Sequence, residues 1–229
     1  MAERTFFIPT QSFPFYEERP ISFTYFPGFA LSQQQKSIHS MHQSIRASWG
    51  LSNILEISTK SDNSVGVALS AFNLTLNYQG RSASVESVYQ SSKAFASGGP
   101  YSDIAWSSSL EAKKDKRLKS SGALIHFEFQ GVVWPLISSP NFYDYLYIGA
   151  LSESSLISEI AKYEAFSDFA YSTRVGKVKQ GRSWNCQARS VAIFKGLSFT
   201  HNQSVSMKLL KECALDVSRE MQDGPLTLF

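Results

Sequence analysis

The chain has 229 residues, 43% hydrophobic and 18% charged, a balance that excludes an intrinsically disordered protein and predicts a globular one with its own core. The net charge of +3 permits an anionic partner but is too small to require one. The two cysteines, Cys186 and Cys213, form no CxxC pair, which argues against a thiolate zinc site and favours a reducing compartment.

The amino-terminal twenty residues show no apolar stretch after a basic start, and no stretch of the chain has the length and hydropathy of a membrane span. We therefore expect a cytoplasmic protein without a membrane partner.

The first third of the chain predicts strands around one helix. RTFFIPT, ISFTYF and NILEISTK are short, aromatic or β-branched runs typical of strands. Residues 32–48 predict a helix with Ser32 as its N-cap. VGVALSAFNLTLNY is predicted to be extended at both ends. The helix should place its apolar residues on one side, namely Leu31, Ile38, Met41 and Ile45.

The middle of the chain predicts two helices and a strand pair. A helix should begin after the N-cap Ser84 and end before the run Gly98-Gly99-Pro100. SSLEAKKDKRLKSSG predicts a second, charged helix, and ALIHFEFQGVVWPL predicts two strands around Gly131.

The last third is mostly helical by its patterns, with helices over NFYDYLYIGALSES, SSLISEIAKYEAF, WNCQARSVAIFKGL and SVSMKLLKECALDVSREM. FAYSTRVGKVKQGRS predicts a strand followed by a basic loop. Strands and helices mix without regular βαβ alternation, which favours an α+β fold over a doubly wound sheet. We expect one domain over residues 1–229, mainly helical, with a strand-rich amino-terminal portion.

Several common sites are missing from the sequence: it has no P-loop, no GxGxxG, no HExxH and no GxSxG. His39 and His42 have a spacing that can bind metal, but no third ligand is evident beside them. We therefore favour a solvated helix face and expect neither a metal nor a cofactor.

One polar stripe stands out in SVESVYQSSKAF. Glu86, Gln90 and Lys93 are spaced by four and three residues, which predicts that all three project from one helix face. The ordinary interpretation is a solvated ladder. Val85 and Tyr89 on its edges, together with the glycines that follow Lys93, favour a pocket wall instead.

The run LSAFNLTLNYQGRSASVESVYQSSKAF resembles the signature of the NADAR family, which includes YbiA-like proteins. FYDYLYIGAL resembles the family's following helix. One departure is that the family's Asp-x-x-Trp-Gly reads DFAYS here, with Tyr171 in the position of the Trp. The matching residues are Ser70, Phe72, Asn73, Glu86, Gln90 and Lys93 and, more loosely, Ala112, Lys113, Trp134, Asp168 and Asn185.

The branch that fits best comprises NADAR proteins encoded beside DarT-type DNA ADP-ribosyltransferase toxins. FTYFPGFALSQQQKSIHSMHQSI, SASVESVYQSSKAFASGGPYSDI, EAKKDKRL and NCQARS are similar to segments of those proteins, in the same order. The resemblance covers about residues 5–197. Residues 198–229 form a predicted helical extension and tail that match nothing we can place.

The resemblance implies an N-glycosidase that removes ADP-ribose from guanine in DNA, expected to be single-stranded, and so reverses the toxin's modification. Two alternatives stay open. YbiA-like relatives imply an N-glycosidase on an early riboflavin-pathway nucleotide. A protein without catalysis could instead bind ADP-ribose or bind the DarT-type toxin directly.

In the glycosidase interpretation Glu86 transfers protons, Lys93 attacks the ribose as a Schiff-base nucleophile or stabilises charge, and Asp168 is a second acid. Two basic runs, Lys113–Lys119 and Arg174–Arg182, either form solvated faces or hold pyrophosphate or DNA backbone. The predicted substrate-binding residues are Ser70, Phe72, Asn73, Gln90, Gly98, Gly99, Tyr101, Trp134 and Asn185.

Overall fold

The structure, a computed structural model, describes residues 1–136, 141–171 and 185–222. The basic run Arg174–Arg182 and the tail 223–229 lie outside these residues. The strands are β1 Ala2–Pro9, β2 Tyr16–Phe23, β3 Ile54–Glu56, β4 Thr75–Tyr78, β5 Arg81–Ser84, β6 Lys93–Phe95, β7 Leu124–Phe129, β8 Val132–Trp134 and β9 Ala165–Ser167. The helices are α1 Leu31–Trp49, α2 Ser64–Ala68, α3 Val85–Ser91, α4 Ser109–Lys114, α5 Arg117–Ser120, α6 Phe142–Ser152, α7 Ile157–Ile160, α8 Gln187–Ser198 and α9 Gln203–Gln222, with a 3₁₀ turn at Ser102–Trp106.

These elements confirm the α+β prediction. They group into two units, each built from two stretches of chain. Unit 1 comprises Met1–Asn73 and Ser154–His201, and unit 2 comprises Leu74–Glu153 and Asn202–Phe229. One domain over residues 1–229 stays a prediction. No helix in the described part of the chain combines the length and the hydropathy needed to cross a membrane.

Unit 1 holds a four-stranded sheet in the order β2-β1-β9-β3. β9 pairs antiparallel with β1 and parallel with β3, and this register places Glu56 opposite Ser167. Helix α1 buries Ile38, Met41 and Ile45 against the sheet, as predicted. Leu31, in the first turn of the helix, is 52% exposed and does not contribute to this buried side.

Two local predictions in unit 1 need correction. Helix α1 has Ala30, not Ser32, as its N-cap, since the carbonyl of Ala30 already accepts from the Gln33 amide. The segment after β3, predicted to start extended, forms helix α2, capped by the Asn63 side chain. A Cβ at Gly66 would lie 2.0 Å from the Glu56 carbonyl oxygen, so glycine lets α2 approach β3 closely.

Unit 2 contains the β4–β5 hairpin and the antiparallel sheet β6-β7-β8. The predicted strand pair around Gly131 is confirmed as β7 and β8. An aromatic core joins this sheet to α3 and α6, with ring centroids 5.0–6.1 Å apart among Tyr89, Phe127 and Phe142.

The helix that begins after Ser84 is shorter than the sequence pattern predicts. Ser84 caps it as expected, but α3 ends at Ser91 and Lys93 belongs to strand β6. The hydroxyls of Ser91 and Ser92 donate to the Val88 carbonyl at 2.8 Å, which competes with the helical hydrogen bonds. The Ser92 carbonyl then accepts from the Glu128 amide of β7, and the chain continues as strand β6, which pairs with β7.

Two other predicted helices are also interrupted. The charged helix breaks into α4 and α5 because the Asp115 carboxylate accepts from the Arg117 amide and turns the chain. The helix predicted over SSLISEIAKYEAF is reduced to α7, and Ala165–Ser167 joins the sheet as β9.

Candidate functional site

Glu86 and Gln90 form a buried pair on α3. Each is 7% exposed, so the interpretation as a solvated ladder is wrong for these two residues. The Ser84 hydroxyl accepts from the Ser87 amide and fixes the start of the helix, which places Glu86 in the first turn. The Gln90 amide donates to Glu86 Oε1 at 2.9 Å. The carboxylate is therefore held in one orientation.

Lys93 is half-buried at the start of β6 rather than on the helix. The pKa of Lys93 is lowered to about 8, mainly by burial, with nearby Glu86 opposing that effect and Lys113 adding to it. Its Nζ lies 4.9 Å from the centre of the Tyr89 ring. With that pKa, roughly a quarter of Lys93 is neutral amine at about pH 7.5. The side chain can therefore act as a nucleophile or as a cation.

The glycine turn after β6 brings the chain back onto Lys93. A Cβ at Gly99, where φ is +82°, would lie 2.5 Å from the Lys93 carbonyl oxygen, and one at Gly98 would lie 2.3 Å from the Tyr101 hydroxyl. Tyr101 is half-buried, its hydroxyl is hydrogen-bonded to Ser121, and the Arg117 guanidinium lies 4.6 Å from its ring centre. These contacts fix the turn and the tyrosine together.

The segment α4–α5 carries the basic run Lys113–Lys119. It contacts Glu86 through Lys113 and Tyr101 through Arg117. Lys113 Nζ lies 3.8 Å from Glu86 Oε1. Arg117 is neutralised by ion pairs to Asp103 and Asp115, both at 2.7 Å. Three exposed lysines have no ion pair within 4 Å among the described residues, namely Lys114, Lys116 and Lys119.

Trp134 lies in the aromatic core of unit 2. It is 1% exposed and packs 4.6 Å from the Tyr145 ring and 5.5 Å from the Phe142 ring. Its indole Nε1 has no hydrogen-bond partner among the described residues. Stacking on a base requires an open ring face, which Trp134 does not offer here.

The signature residues before Leu74 belong to unit 1. Ser70 is buried, and its hydroxyl has no hydrogen-bond partner in the described part of the chain. Phe72 is half-buried. Asn73 is exposed, and its amide donates to the Val67 carbonyl at 2.8 Å.

Asp168 is linked to this segment through Gln187. The Gln187 amide donates to Asp168 Oδ2 at 3.3 Å, and its oxygen accepts from the Ala71 amide at 2.6 Å. Asp168 Oδ1 accepts from the Ala170 amide, and burial raises the pKa of Asp168. Tyr171, in place of the family's Trp, lies with its ring 5.8 Å from that of Phe7.

Glu56 is a buried acid that sequence reasoning missed. Its carboxylate accepts from Ser58 Oγ at 2.8 Å, Ser167 Oγ at 2.5 Å and the Phe169 amide at 2.9 Å. Burial and the nearby Asp168 raise the pKa of Glu56 to about 7. The available signal was an acid inside the apolar run NILEIS, which forms a strand that is buried throughout.

Glu56 also lines a pocket of about 440 Å³ in unit 1, together with His39 and His42. His39 is exposed and pairs with Asp62, so the prediction of a solvated face holds for it. That prediction is wrong for His42, which is buried, and burial lowers its pKa to about 4. No cluster of three acidic, histidine or cysteine residues suits a metal ion within the described ranges.

The structure thus gathers the predicted residues into two groups. In unit 2 it brings together Glu86, Gln90 and Lys93, and in unit 1 it links Asp168 to the segment of Ser70. Asn185 is half-buried immediately before α8 and adjoins residues outside the described ranges.

Comparison with known proteins gives the chain a family. No curated protein matches it. A family model described as the DarT1-associated NADAR antitoxin matches residues 2–215, which spans all of the predicted site residues. The chain therefore belongs to the DarT1-associated NADAR antitoxin family.

Proposed function

We propose that this chain is an N-glycosidase that removes ADP-ribose from guanine in DNA and so reverses the modification made by a DarT-type toxin. The observation that carries the proposal is the pairing of a buried, oriented acid, Glu86, with a lysine, Lys93, whose pKa is lowered to about 8. Membership of an antitoxin family supports the biological direction of the reaction.

The reaction must break the bond between ribose C1 and a guanine nitrogen. The leaving nitrogen needs a proton, C1 needs a nucleophile, and the charge that develops on the sugar needs stabilisation. In the proposed mechanism Glu86 gives its proton to the leaving nitrogen. The Gln90 amide keeps the Glu86 carboxyl in a single orientation during this transfer.

Lys93 fits the nucleophilic part of the reaction. Its neutral amine would donate a lone pair to C1 while the electron pair of the C1–nitrogen bond goes to guanine. The amine adduct would return a proton to the Glu86 carboxylate, and the C1–O4 bond of the ribose would then break to give the Schiff base, with Glu86 passing that proton to the ring oxygen O4. Water would then hydrolyse the resulting Schiff base, release ADP-ribose and restore the amine. In the simpler alternative, water attacks C1 and Lys93 only stabilises charge.

Asp168 is a second candidate acid, because burial favours its protonated form. Ser70 offers a buried hydroxyl without a hydrogen-bond partner in the described residues, which suits it for contact with a sugar hydroxyl. Lysines 114, 116 and 119 provide unpaired positive charge for DNA phosphates, on the same segment whose Lys113 contacts Glu86.

One assay tests the proposal directly. The protein is incubated with a single-stranded oligonucleotide that carries ADP-ribosyl-guanine, and free ADP-ribose and restored guanine are measured. We expect release by the wild type and none by Glu86→Gln, which keeps the size of the side chain but cannot supply the proton. Release that continues in Glu86→Gln would contradict the mechanism.

The same assay separates the alternatives. Tight binding of ADP-ribose without release would favour a protein that only recognises the modification. Coelution with the toxin without release would favour an antitoxin that acts by binding. Cleavage of a riboflavin-pathway nucleotide, with no action on the oligonucleotide, would favour the small-molecule glycosidase.

A further inference from the structure

The aromatic loop, residues 24–30 between β2 and α1 of unit 1, exposes three aromatic side chains. Tyr25 is 43% exposed, Phe26 37% and Phe29 99%. A phenylalanine side chain stabilises a fold through the apolar surface that it buries, and Phe29 buries almost none. Leu31, which follows the loop, is 52% exposed as well. Contiguous exposed apolar groups of this kind are typical of a contact site for a partner.

The backbone of the aromatic loop is held in place by side chains of α1. The Phe26 amide donates to Ser37 Oγ at 2.9 Å, and the same hydroxyl donates to the Phe26 carbonyl at 3.2 Å. The Gln34 side-chain amide donates to the Phe29 carbonyl at 2.8 Å. The rings are therefore presented from a fixed backbone, which lowers the entropic cost of binding a partner.

Tyr25 is supported on one side by the core of unit 1. Its ring lies nearly parallel to that of Phe169, with 13° between the ring planes and 6.3 Å between the ring centroids. Phe169 is buried in the core cluster of this unit. The exposed part of the Tyr25 ring is directed away from this contact, an arrangement that suits stacking by a second planar group.

The charges around the aromatic loop suit an anionic partner. Residues 21–55 contain no aspartate or glutamate. Two acids border this stretch in the fold. Asp62 is paired with His39, and Glu3 lies on β1 opposite Ser22, two residues before the loop.

Lys36 places a positive charge alongside the loop. It lies on α1 three residues after Gln33 and four before Ser40, so the three side chains share one helix face. Both neighbours contact the loop: Ser40 Oγ accepts from the Thr24 amide at 3.2 Å, and Gln33 Cγ lies 3.2 Å from the place that a Cβ on Gly28 would take. Lys36 is exposed and has no ion pair within 4 Å among the described residues.

Rings and a cation at one place are what a single strand of DNA requires, because unpaired bases stack on aromatic faces while phosphates contact the positive charge. We propose that the aromatic loop and Lys36 bind single-stranded DNA, with Tyr25, Phe26 and Phe29 stacking on unpaired bases. The biological role of this surface rests on the proposed function, since an enzyme that acts on a modified guanine in a single strand must also hold the strand around it.

Fluorescence anisotropy with an unmodified single-stranded DNA oligonucleotide tests the loop. We expect Phe29→Ala to raise the Kd at least about fivefold, through the loss of one stacked base. The melting temperature should not change, because the deleted side chain is almost fully exposed. Phe13→Ala is the matched control: Phe13 is 61% exposed but lies between β1 and β2, at the opposite end of those strands. It should bind as the wild type does.

Further variants separate stacking from other contacts. Phe29→Leu keeps an apolar side chain but removes the ring, so it should lose as much affinity as Phe29→Ala, whereas Phe29→Tyr should retain wild-type affinity. An abasic oligonucleotide of the same length should bind the wild type and Phe29→Ala equally. Lys36→Gln should reduce the slope of log affinity against log salt by about 0.7.

Equal Kd values for the wild type and Phe29→Ala would overturn the inference, as would wild-type affinity in Phe29→Leu. If Phe29→Ala binds DNA normally but no longer coelutes with a DarT-type toxin, or no longer binds vesicles of anionic lipid, the loop contacts a protein or a membrane instead and the inference is wrong. If the wild type binds the oligonucleotide through Phe29 but releases no ADP-ribose, the proposed function fails and the inference about the loop stands. If the wild type releases ADP-ribose while Phe29→Ala binds DNA equally well, only the inference about the loop fails.

Discussion

Lys113 Nζ lies 3.8 Å from Glu86 Oε1, so an exposed lysine of α4 contacts a buried acid of α3. The basic segment α4–α5 is therefore in contact with the candidate catalytic group. The same segment also contacts Tyr101, because the Arg117 guanidinium lies over the tyrosine ring, and two aspartates neutralise the charge of Arg117. The positive charge of the segment that has no ion pair among the described residues therefore resides on Lys114, Lys116 and Lys119 rather than on Arg117.

The salt dependence of DNA binding should show whether the charges of these lysines contact phosphates. We expect the triple variant Lys114→Gln, Lys116→Gln, Lys119→Gln to weaken binding of single-stranded DNA and to reduce the slope of log affinity against log salt by about 2, at about 0.7 per phosphate contact. Fluorescence anisotropy with an unmodified oligonucleotide measures it. Lys162→Gln is the control, because this lysine is already paired with Glu159. An equal slope in the triple variant and the wild type would assign the segment to a solvated face.

Substitution of Lys93 should reduce activity without reducing the stability of the fold. Lys93→Ala is expected to abolish release of ADP-ribose while the melting temperature stays close to that of the wild type, because burying the ammonium already costs free energy. Activity and thermal melts measure the two effects. Lys93→Arg retains a cation but supplies no nucleophile, so activity in that variant would indicate charge stabilisation alone.

The pH dependence distinguishes the same two roles of Lys93. If its neutral amine attacks the ribose, the rate should rise as pH increases towards the pKa of about 8. If the ammonium stabilises charge, the rate should fall over that range. Reduction with cyanoborohydride during turnover should trap a covalent ADP-ribose adduct only in the first case, detected by mass spectrometry and missing from Lys93→Ala.

Stability should also depend on pH through Glu56. Its pKa is raised from the unfolded value to about 7, so its contribution to stability is fully present below about pH 4.5 and is lost as pH rises through about 7. The loss amounts to roughly 3 kcal/mol in the free energy of unfolding. Urea unfolding at both ends of this range should show a change on going to high pH that is less favourable in the wild type than in Glu56→Gln, because His42 and Asp168 contribute to both proteins.

His42 works in the opposite direction over an overlapping range. Its pKa is lowered to about 4, so the stability that it contributes is present above its unfolded pKa and is lost as pH falls through about 4. The wild-type profile therefore contains both effects. The difference between the wild type and Glu56→Gln removes the contribution of His42 and reports Glu56 together with its interaction with Asp168, and identical profiles in the two proteins would refute the raised pKa of Glu56.

Gly66→Ala should destabilise unit 1. The added Cβ would lie 2.0 Å from the Glu56 carbonyl oxygen and 2.5 Å from Ser61 Oγ, and the backbone contact cannot relax cheaply. We expect a loss of about 2 kcal/mol or more by chemical denaturation. Gly149→Ala is the matched control on α6, where the new Cβ would meet only the end of the Met207 side chain at 3.4 Å. A loss as large in the control as in Gly66→Ala would contradict this explanation.

Local patterns predicted much of the secondary structure and part of the candidate site. Ser84 caps α3 and the spacing of Glu86 and Gln90 places them together, because both follow from contacts within four residues. Lys93 was predicted to lie on the same helix but lies in a strand, because it pairs with Phe127, more than thirty residues away in sequence. Sequence periodicity carries no information about such a distant partner.

The network around Asp168 was beyond prediction for the same reason. Gln187 contacts Ala71 across 116 residues and Asp168 across 19, and Glu56 contacts Ser167 across 111 residues. The resemblance to the family pointed to Asp168 but not to Glu56 or Gln187. These two residues became visible only through the side-chain contacts in the fold.

The order of the unit 1 sheet has a consequence for how the protein is made. Strand β9 lies between β1 and β3, yet it leaves the ribosome about a hundred residues after β3. Until then β1 and β3 have no strand to join them, and Glu56 lacks the partners Ser167 and Phe169. A nascent chain interrupted before this point carries an incomplete sheet and an unpaired acid, so synthesis must pass Phe169 before these contacts of Glu56 can exist.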